Sequence, residues 1–409
     1  MADLGISLLV PLVVLAVVGF LALVGFLTRR GQREERPVPV RLTCTAIVPA
    51  HNEQDGIIET LRALVNQTVP FDEIIVAADD CTDDTVRLCL QYQKVTGAPI
   101  TVIECSGGSK AKAQNLALPH ASTDLVLPVD ADTVLAPDYL ALINVPFADE
   151  NVAIAAGCVL TKNSRRMTER GRTLEYLFGF HWHRPIQNKA NSPVVCSGCN
   201  SAFRRDELTA FGGFPERTIV EDMDYTWSKQ IEGRRAVYVG NAVAYAADPE
   251  NLTYLRKQVW RWMAGFFQNV RLHFRDLLRH KRMLAVWVAL AMWEILTVPL
   301  WYAMPFIWLF VLDWSIGVTA LWFFGAELAL LMPPILYGAI RRKVSILHVI
   351  ACIPSLYVVK VVNFTYAWKA LVVEMVLVPL GVSEGLHYYA KGRADTVPVT
   401  AACDGLPSS

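Results

Sequence analysis

Net charge is what this 409-residue chain lacks first: 38 Lys and Arg stand against 38 Asp and Glu. The total therefore offers no broad basic surface of the kind that holds nucleic acid, and no nucleic-acid partner is expected. Charge of either sign is scarce, at 19% of residues against 53% hydrophobic. With a mean hydropathy of +0.33, part of the chain belongs in lipid. The nine cysteines are scattered, which excludes a small disulfide scaffold and leaves reduced, buried thiols as the expectation. Cys196-x-x-Cys199 has no second pair within reach and does not read as a structural metal site.

Long apolar runs are missing from 40 to about 280 and gathered on either side. Ile6 to Leu27 carries no charge, enough to cross a hydrocarbon core of about 30 Å. Its start, MADLGIS, has no cationic region, and no small-residue cleavage site precedes Arg29 and Arg30; a span is thus favoured over a cleaved signal peptide. Arg29, Arg30, Arg33 and Arg36 follow directly and set that flank, with the domain after it, on the cytoplasmic side. Leu284 to Ile340 is interrupted only by Glu294, Asp313 and Glu327, which predicts two spans with a turn near 313–317. Arg275, Arg279, Lys281 and Arg282 precede this pair and Arg341, Arg342 and Lys343 follow it. Ser345 to Val382 is apolar but holds His348, Lys360, Lys369, Glu374, Pro354 and Pro379, and both a third span and interfacial helices stay open there. The expected organisation is a transmembrane helix over 1–30, a cytoplasmic domain over 40–250, an interfacial helix over 251–282, spanning or interfacial helices over 283–382 and a disordered tail over 391–409. The whole reads as an integral protein of the plasma membrane.

Within the domain the pattern alternates. TCTAIVP ends a β-branched run at proline, and HNEQDGIIETLRALVNQ then spaces Ile57, Ile58, Leu61, Leu64 and Val65 as a helix does. EIIVAADD reads as a buried strand, DDTVRLCLQYQKV as a helix, PITVIEC as a strand, KAKAQNLALPHA as a helix and DLVLPV as a strand. Units of about 30 residues in this order mean βαβ crossovers and a mostly parallel sheet. Ligands of such sheets bind beyond the carboxyl ends of the strands. Those exits carry His51, Asn52, Glu53, Asp79, Asp80, Asp130 and Asp132.

VDADT sets Asp130 and Asp132 two residues apart after an apolar strand, a spacing that suits a hard divalent cation and the diphosphate it neutralises, although a solvated turn reads equally well in isolation. GGSKAKAQN brings Lys110 and Lys112 near glycines, useful for phosphate and equally good as a solvated helix face. IVEDMDYTW packs three carboxylates into four residues; their repulsion can raise a pKa towards that of a general base, the plainer reading being an acid-rich first helical turn. KQVWRWMAGFF sets Gln258, Arg261 and Trp262 on adjacent faces of one turn, Arg to fork onto phosphate and Trp to stack on a sugar, or both to lie at a membrane surface.

VPAHNE, AADDCTDDT, VDADT, VEDMDYTW and QVWRW, in this order from about Thr45 to Gly265, resemble the membrane-embedded family 2 glycosyltransferases, in the branch of the cellulose, hyaluronan, chitin and poly-N-acetylglucosamine synthases. The resemblance implies an α/β, Rossmann-like glycosyltransferase A domain with interfacial helices, set between an N-terminal transmembrane helix and a C-terminal transmembrane bundle. It implies inverting transfer from a nucleotide sugar, a UDP-sugar, with Mg2+ or Mn2+, to a growing polysaccharide that is passed across the membrane. By matching position, Asp80 would bind the donor base with help from Glu53, Lys110 would approach base or diphosphate, and Asp130 and Asp132 would form the diphosphate and metal site, Asp132 being the ligand. Asp222 of the Glu221-Asp222 pair would be the general base, Gln258 and Arg261 would clamp the diphosphate, and Trp262 would stack under the acceptor. SGCNSAFRR falls where the family has its acceptor loop. The chain departs from the family's common DDGS at Asp80-Cys81-Thr82 and from its GKA at Ser109-Lys110-Ala111, which puts the donor's identity in doubt.

Two aromatic and Arg-rich segments, Met167 to Ile186 and Leu252 to Val270, are expected to lie between domain and membrane as amphipathic helices, with His181 and His183 interfacial rather than metal-binding. The partners expected are the nucleotide-sugar donor, a polysaccharide or lipid-linked acceptor and membrane lipids. Transfer of one sugar to a lipid acceptor is the nearest alternative; a non-catalytic nucleotide-sensing membrane subunit is the alternative of another class, and a transporter fits less, the apolar part showing no repeat.

Overall fold

The computed structural model describes residues 41–384; the span expected at Ile6–Leu27 and the tail expected at 391–409 lie outside the described residues. The first strands form where the sequence offers uninterrupted β-branched runs. They are β1 (Cys44–Ala50), β2 (Glu73–Asp79), β3 (Ile100–Cys105) and β4 (Leu125–Pro128), with α1 (Ile57–Val65), α2 (Thr85–Thr96) and α3 (Lys110–Ala117) between them. After β4 come the two-residue β5 (Val134–Leu135), α4 (Tyr139–Asn144), β6 (Val152–Thr161), α5 (Met167–Phe178), a wider π-type turn over Gly179–His183 and α6 (Arg184–Lys189). Then follow β7 (Ser201–Arg204), α7 (Arg205–Phe211), α8 (Glu221–Ile231), β8 (Arg235–Ala246) and α9 (Leu252–His280).

The eight strands make one sheet in the order β3-β2-β1-β4-β7-β6-β8-β5. β1 pairs in parallel with β2 and β4, and β2 with β3, as the crossovers require. β7 runs antiparallel between β4 and β6, so the sheet is mixed, which the strand and helix alternation of residues 43–130 does not reveal. Alternate residues of the buried strands feed two cores. Val48, Val76 and Leu127 face Ile57, Leu61 and Leu64 of α1 and Tyr139 of α4. Ile47, Ile75 and Val126 face the alanines of α3, small enough to bring that helix and its amino end close to the sheet, with Tyr225 of α8.

The apolar half follows as α10 (Arg282–Phe310), α11 (Ile316–Arg341) and α12 (Ile346–Val372), the last continuing as π-helix through Leu377. Arg282–Phe310, Ile316–Arg341 and Ile346–Leu377 are long and apolar enough to cross a membrane. The turn between the first two holds Asp313 at positive φ. In α12 the open choice between span and interfacial helix resolves into a helix of spanning length and composition that is also fastened to both amphipathic helices. Ser164 bonds His348 at its start, Asn363 donates to Glu175 of α5, and near its end Gln268 of α9 donates to Glu374. Leu174 and Leu177 of α5 enter a core with Ile335 of α11 and Val349, Cys352 and Leu356 of α12, so the amphipathic helices are the seam between the sheet domain and the apolar helices.

Candidate active site

The strand exits are held together by left-handed turns that Asn and Asp tolerate. Asn52 after β1 (φ 54°) and Asp80 after β2 (φ 47°) both adopt this conformation. Asn52 Oδ1 accepts from the backbone N–H of Thr82 at 2.8 Å, tying one exit to the next, and His51 Nδ1 lies 2.6 Å from the Asp79 carbonyl oxygen. Asp79 Oδ1 accepts from the backbone of Gly107 and Gly108, drawing the loop before α3 inward. Asp80 Oδ1 accepts from Ser106 Oγ at 2.6 Å, and the Glu53 backbone N–H donates to Thr85 Oγ1 at 2.9 Å. At the amino end of α3, capped by Ser109, Lys110 Nζ reaches Asp130 Oδ1 at 2.5 Å. Burial alone would lower the Lys110 amine, but Asp130 and Glu221 outweigh it and hold it above its usual range, firmly charged.

The three carboxylates of the acidic run open α8, so the acid-rich first turn is real, yet each acid has its own surroundings. Asp224 is fully buried and tied off by Arg217 Nε and Nη2, each at 2.8 Å, and by His273 Nε2 at 2.7 Å; this carboxylate is structural. Asp222 Oδ2 accepts from the backbone N–H of Gly198 at 2.6 Å, in the turn that leads into β7. A side chain at Gly198 would press within 3.3 Å of Asp222 Cβ, so glycine lets the backbone of this turn lie on the carboxylate. Glu221 is buried and its carboxyl is raised, by burial first and then by Asp222, against the pull of Lys110 and Arg261. That coupling reaches α9, which carries Gln258, Arg261 and Trp262 on successive turns. From α5, Arg172 Nη2 donates to Gln258 Oε1 at 3.1 Å, and its guanidinium lies 4.8 Å from the centre of the Trp262 ring.

The carboxylates at the strand exits, Glu53, Asp79, Asp80, Asp130 and Asp132, offer oxygen donors, the chemistry of a hard divalent cation. Asp130 is engaged by Lys110, and Asp132 sits on the tight turn packed against Gly56. Among the described residues no three His, Cys, Asp or Glu side chains stand together as a metal cage. Carboxylates spread over neighbouring turns in this way fit a cation that takes its remaining ligands from a bound diphosphate better than one enclosed by side chains alone.

A family model described as glycosyltransferase like family 2 matches residues 41–265. The chain belongs to this family. This family 2 glycosyltransferase is 28% identical over 258 residues to the hyaluronan synthase of Streptococcus pyogenes, covering 59% of this chain and 61% of that protein. It is 26% identical over 240 residues to the poly-beta-1,6-N-acetyl-D-glucosamine synthase of Staphylococcus aureus (strain MSSA476), covering 58% of each. It spans about three fifths of the length of these relatives. Among solved structures it is similar to a mannosyltransferase of Pyrobaculum calidifontis in complex with GDP-Man and Mn2+, with a TM-score of 0.60 and 24% identity over 84% of this chain and 96% of that one. The fold of the domain is thus the mixed-sheet, Rossmann-like glycosyltransferase A fold.

Of the candidate residues, Lys110 interacts with Asp130 and Glu221, and Glu221 in turn with Asp222 and Arg261, while Glu53, Asp80 and Asp132 stand at neighbouring turns of the same family 2 domain. Gln258 and Trp262 are joined through Arg172. The sequence pattern did not single out Arg172 or Asp248. Asp248, next to Arg172, accepts from Tyr176 Oη at 2.9 Å and is pushed up to about 7, by burial above all. Both look like ordinary polar positions in the sequence, and only the folded chain brings Arg172 to Gln258 and Asp248 to Tyr176.

Proposed function

We propose that the protein transfers a sugar, with inversion, from a UDP-sugar to a growing polysaccharide and feeds the product into its membrane helices. The observation that carries the reading is the meeting of Lys110–Asp130, Glu221–Asp222 and the Gln258, Arg261, Trp262 helix at one end of the sheet, beside three helices of spanning length. The names of the relatives, two of them polysaccharide synthases, support it.

In this reading Asp80 and Glu53 hold the nucleoside, and Lys110 and Asp130 line the diphosphate. A divalent cation, Mg2+ or Mn2+, bound through Asp132 supplies positive charge to the diphosphate. The acceptor hydroxyl stands over Trp262 and loses its proton to Asp222, whose Oδ2 the Gly198 N–H already orients. The new bond forms at the anomeric carbon as its bond to the diphosphate oxygen breaks on the opposite face. Arg261, with Gln258, offsets the charge that gathers on the departing UDP. Glu221, whose carboxyl burial and Asp222 push upward while Lys110 and Arg261 pull it down, ties the base electrostatically to the cations that face the diphosphate.

Basic clusters at Arg275, Arg279, Lys281 and Arg282 and at Arg341, Arg342 and Lys343 flank the apolar helices, and the excess of Lys and Arg on cytoplasmic flanks supports a domain on the cytoplasmic side of its membrane. Glu327 of α11 pairs with Lys360 of α12 inside the apolar helices, and the buried Tyr302 and Thr319 hydroxyls there have no partner among the described residues. Ionisable and polar groups at such positions are costly and mark a polar path, which supports passage of a hydroxyl-rich product.

The test is turnover of the detergent-purified full chain with Mn2+ and a panel of UDP-sugars, following UDP release and sizing the products on a gel. UDP release with a long, glycosidase-sensitive polymer is expected. Release only on addition of lipid, with a single-sugar product, would convert the reading to a glycolipid synthase, and no release with any sugar nucleotide would overturn it.

A further inference from the structure

Arg172 is buried to 4% exposure in the middle of α5, where a cation is expensive and an apolar residue of similar volume would pack at less cost. Its guanidinium is divided among three partners. Nη1 donates to Glu175 Oε2 at 2.7 Å, Nη2 donates to Gln258 Oε1 at 3.1 Å, and the plane lies 4.8 Å from the Trp262 ring centre. Glu175 offsets the charge and is itself held by Asn363 Nδ2 from α12. Gln258 and Trp262 are four residues apart on α9, stacked on one face, so a single planar fork can address both. A lysine has neither the second donor plane nor the stacking surface.

An amide side chain has two nearly isosteric ends, and its neighbours decide which faces where. Because Arg172 is donor only, it selects the oxygen of Gln258 and leaves the Nε2 donor as the end available to a ligand oxygen. The same guanidinium limits tilting of the Trp262 ring. We propose that Arg172 is a positioning residue for the Gln258 and Trp262 pair, setting the amide's orientation and the ring's plane, with Glu175 and Asn363 anchoring it to the membrane-side helix. The inference rests on the reading above, in which Gln258 and Trp262 handle the substrates.

The experiment compares full-length wild type, Arg172→Lys, Trp262→Phe, the double variant, and Arg172→Ala with and without free guanidinium, in acceptor-dependent turnover, donor KM and product length. Arg172→Lys is expected to lower turnover about ten- to hundred-fold and shorten products, with donor KM within about three-fold because Asp80, Lys110 and Asp130 are untouched, and with an unchanged melting midpoint. The double variant is expected to be no slower than the slower single one, since residues acting as a unit are not additive, and guanidinium should restore part of the Arg172→Ala activity. Wild-type turnover and product length in Arg172→Lys would overturn the proposal; so would multiplicative losses in the cycle without guanidinium rescue. If Arg172→Ala fails to fold, the Lys variant and the cycle decide. A wild type inert with every sugar nucleotide would remove the functional reading and this inference together, whereas an active wild type with an unaffected Lys variant removes this inference alone.

Discussion

At the start of α8 three neighbouring carboxylates are separated by what surrounds them. Asp224 is bonded to Arg217 and His273, Glu221 is pushed up by burial and by Asp222, and Asp222 accepts the backbone N–H of Gly198 in the turn before β7. Asp222→Asn keeps an oxygen for the Gly198 N–H but cannot take a proton. Transfer should fall by about 10²–10⁴-fold while UDP affinity, measured by calorimetry, stays within a few-fold; persistent turnover would remove Asp222 as the base. Asp248 makes a second residue-scale prediction. Its folded pKa of about 7, raised by burial, lies above the unfolded value near 3.8. Stability is therefore undiminished at low pH, declines as pH rises through this window while only the unfolded chain gives up the proton, and stays reduced above it, by up to about 4 kcal/mol. Asp248→Asn still accepts from Tyr176, so its melting midpoint should exceed the wild type's at pH 8, with a gap that narrows towards pH 4. A gap independent of pH would show that this carboxyl does not titrate between the folded and unfolded states.

Where α5 crosses α12 the fit depends on a small residue. A Cβ at Gly171 of α5 would lie 2.3 Å from Val359 Cγ2 and 2.7 Å from the backbone oxygen of Ser355 on α12. Helix propensity alone favours Gly171→Ala by about 1 kcal/mol, but a backbone atom cannot rotate away, and overpacking costs about 1–3 kcal/mol. The variant should melt lower in detergent, and because the Asn363–Glu175 contact lies one turn further along, its polymer products should shorten too. An equal or higher melting midpoint would mean that the crossing is loose. The helices themselves were legible from the spacing of their apolar residues: Ile57, Leu61 and Leu64 are buried in α1 as their period predicts. That both α5 and α9 pack on α12 was not, because both are amphipathic with Arg and aromatics on their faces, and a moment in the sequence says that a face is covered without saying by what.

Across the whole molecule the division of labour follows the range of the forces. Local pattern and composition were enough for the parallel βαβ half, the acids at its strand exits and the apolar helices, since hydrophobic periodicity and run length are properties of contiguous residues. The order of motifs from Thr45 to Gly265 sufficed for the family, now matched over residues 41–265. Tertiary structure alone decided that β7 enters antiparallel, that Asp224 is spent on Arg217 and His273, that Lys110 meets Asp130, and that Arg172 stands between Gln258 and Trp262. It also decided that α12, apolar enough to span, is tied along its length to the amphipathic helices. Most of these are contacts between residues distant in the chain, 49 positions apart for His273 and Asp224 and 86 for Arg172 and Gln258. Which acid keeps its charge, which donor end of an amide is left for a ligand and which apolar helix is stitched to the domain all depend on desolvation and partners that exist only once those distant segments have packed.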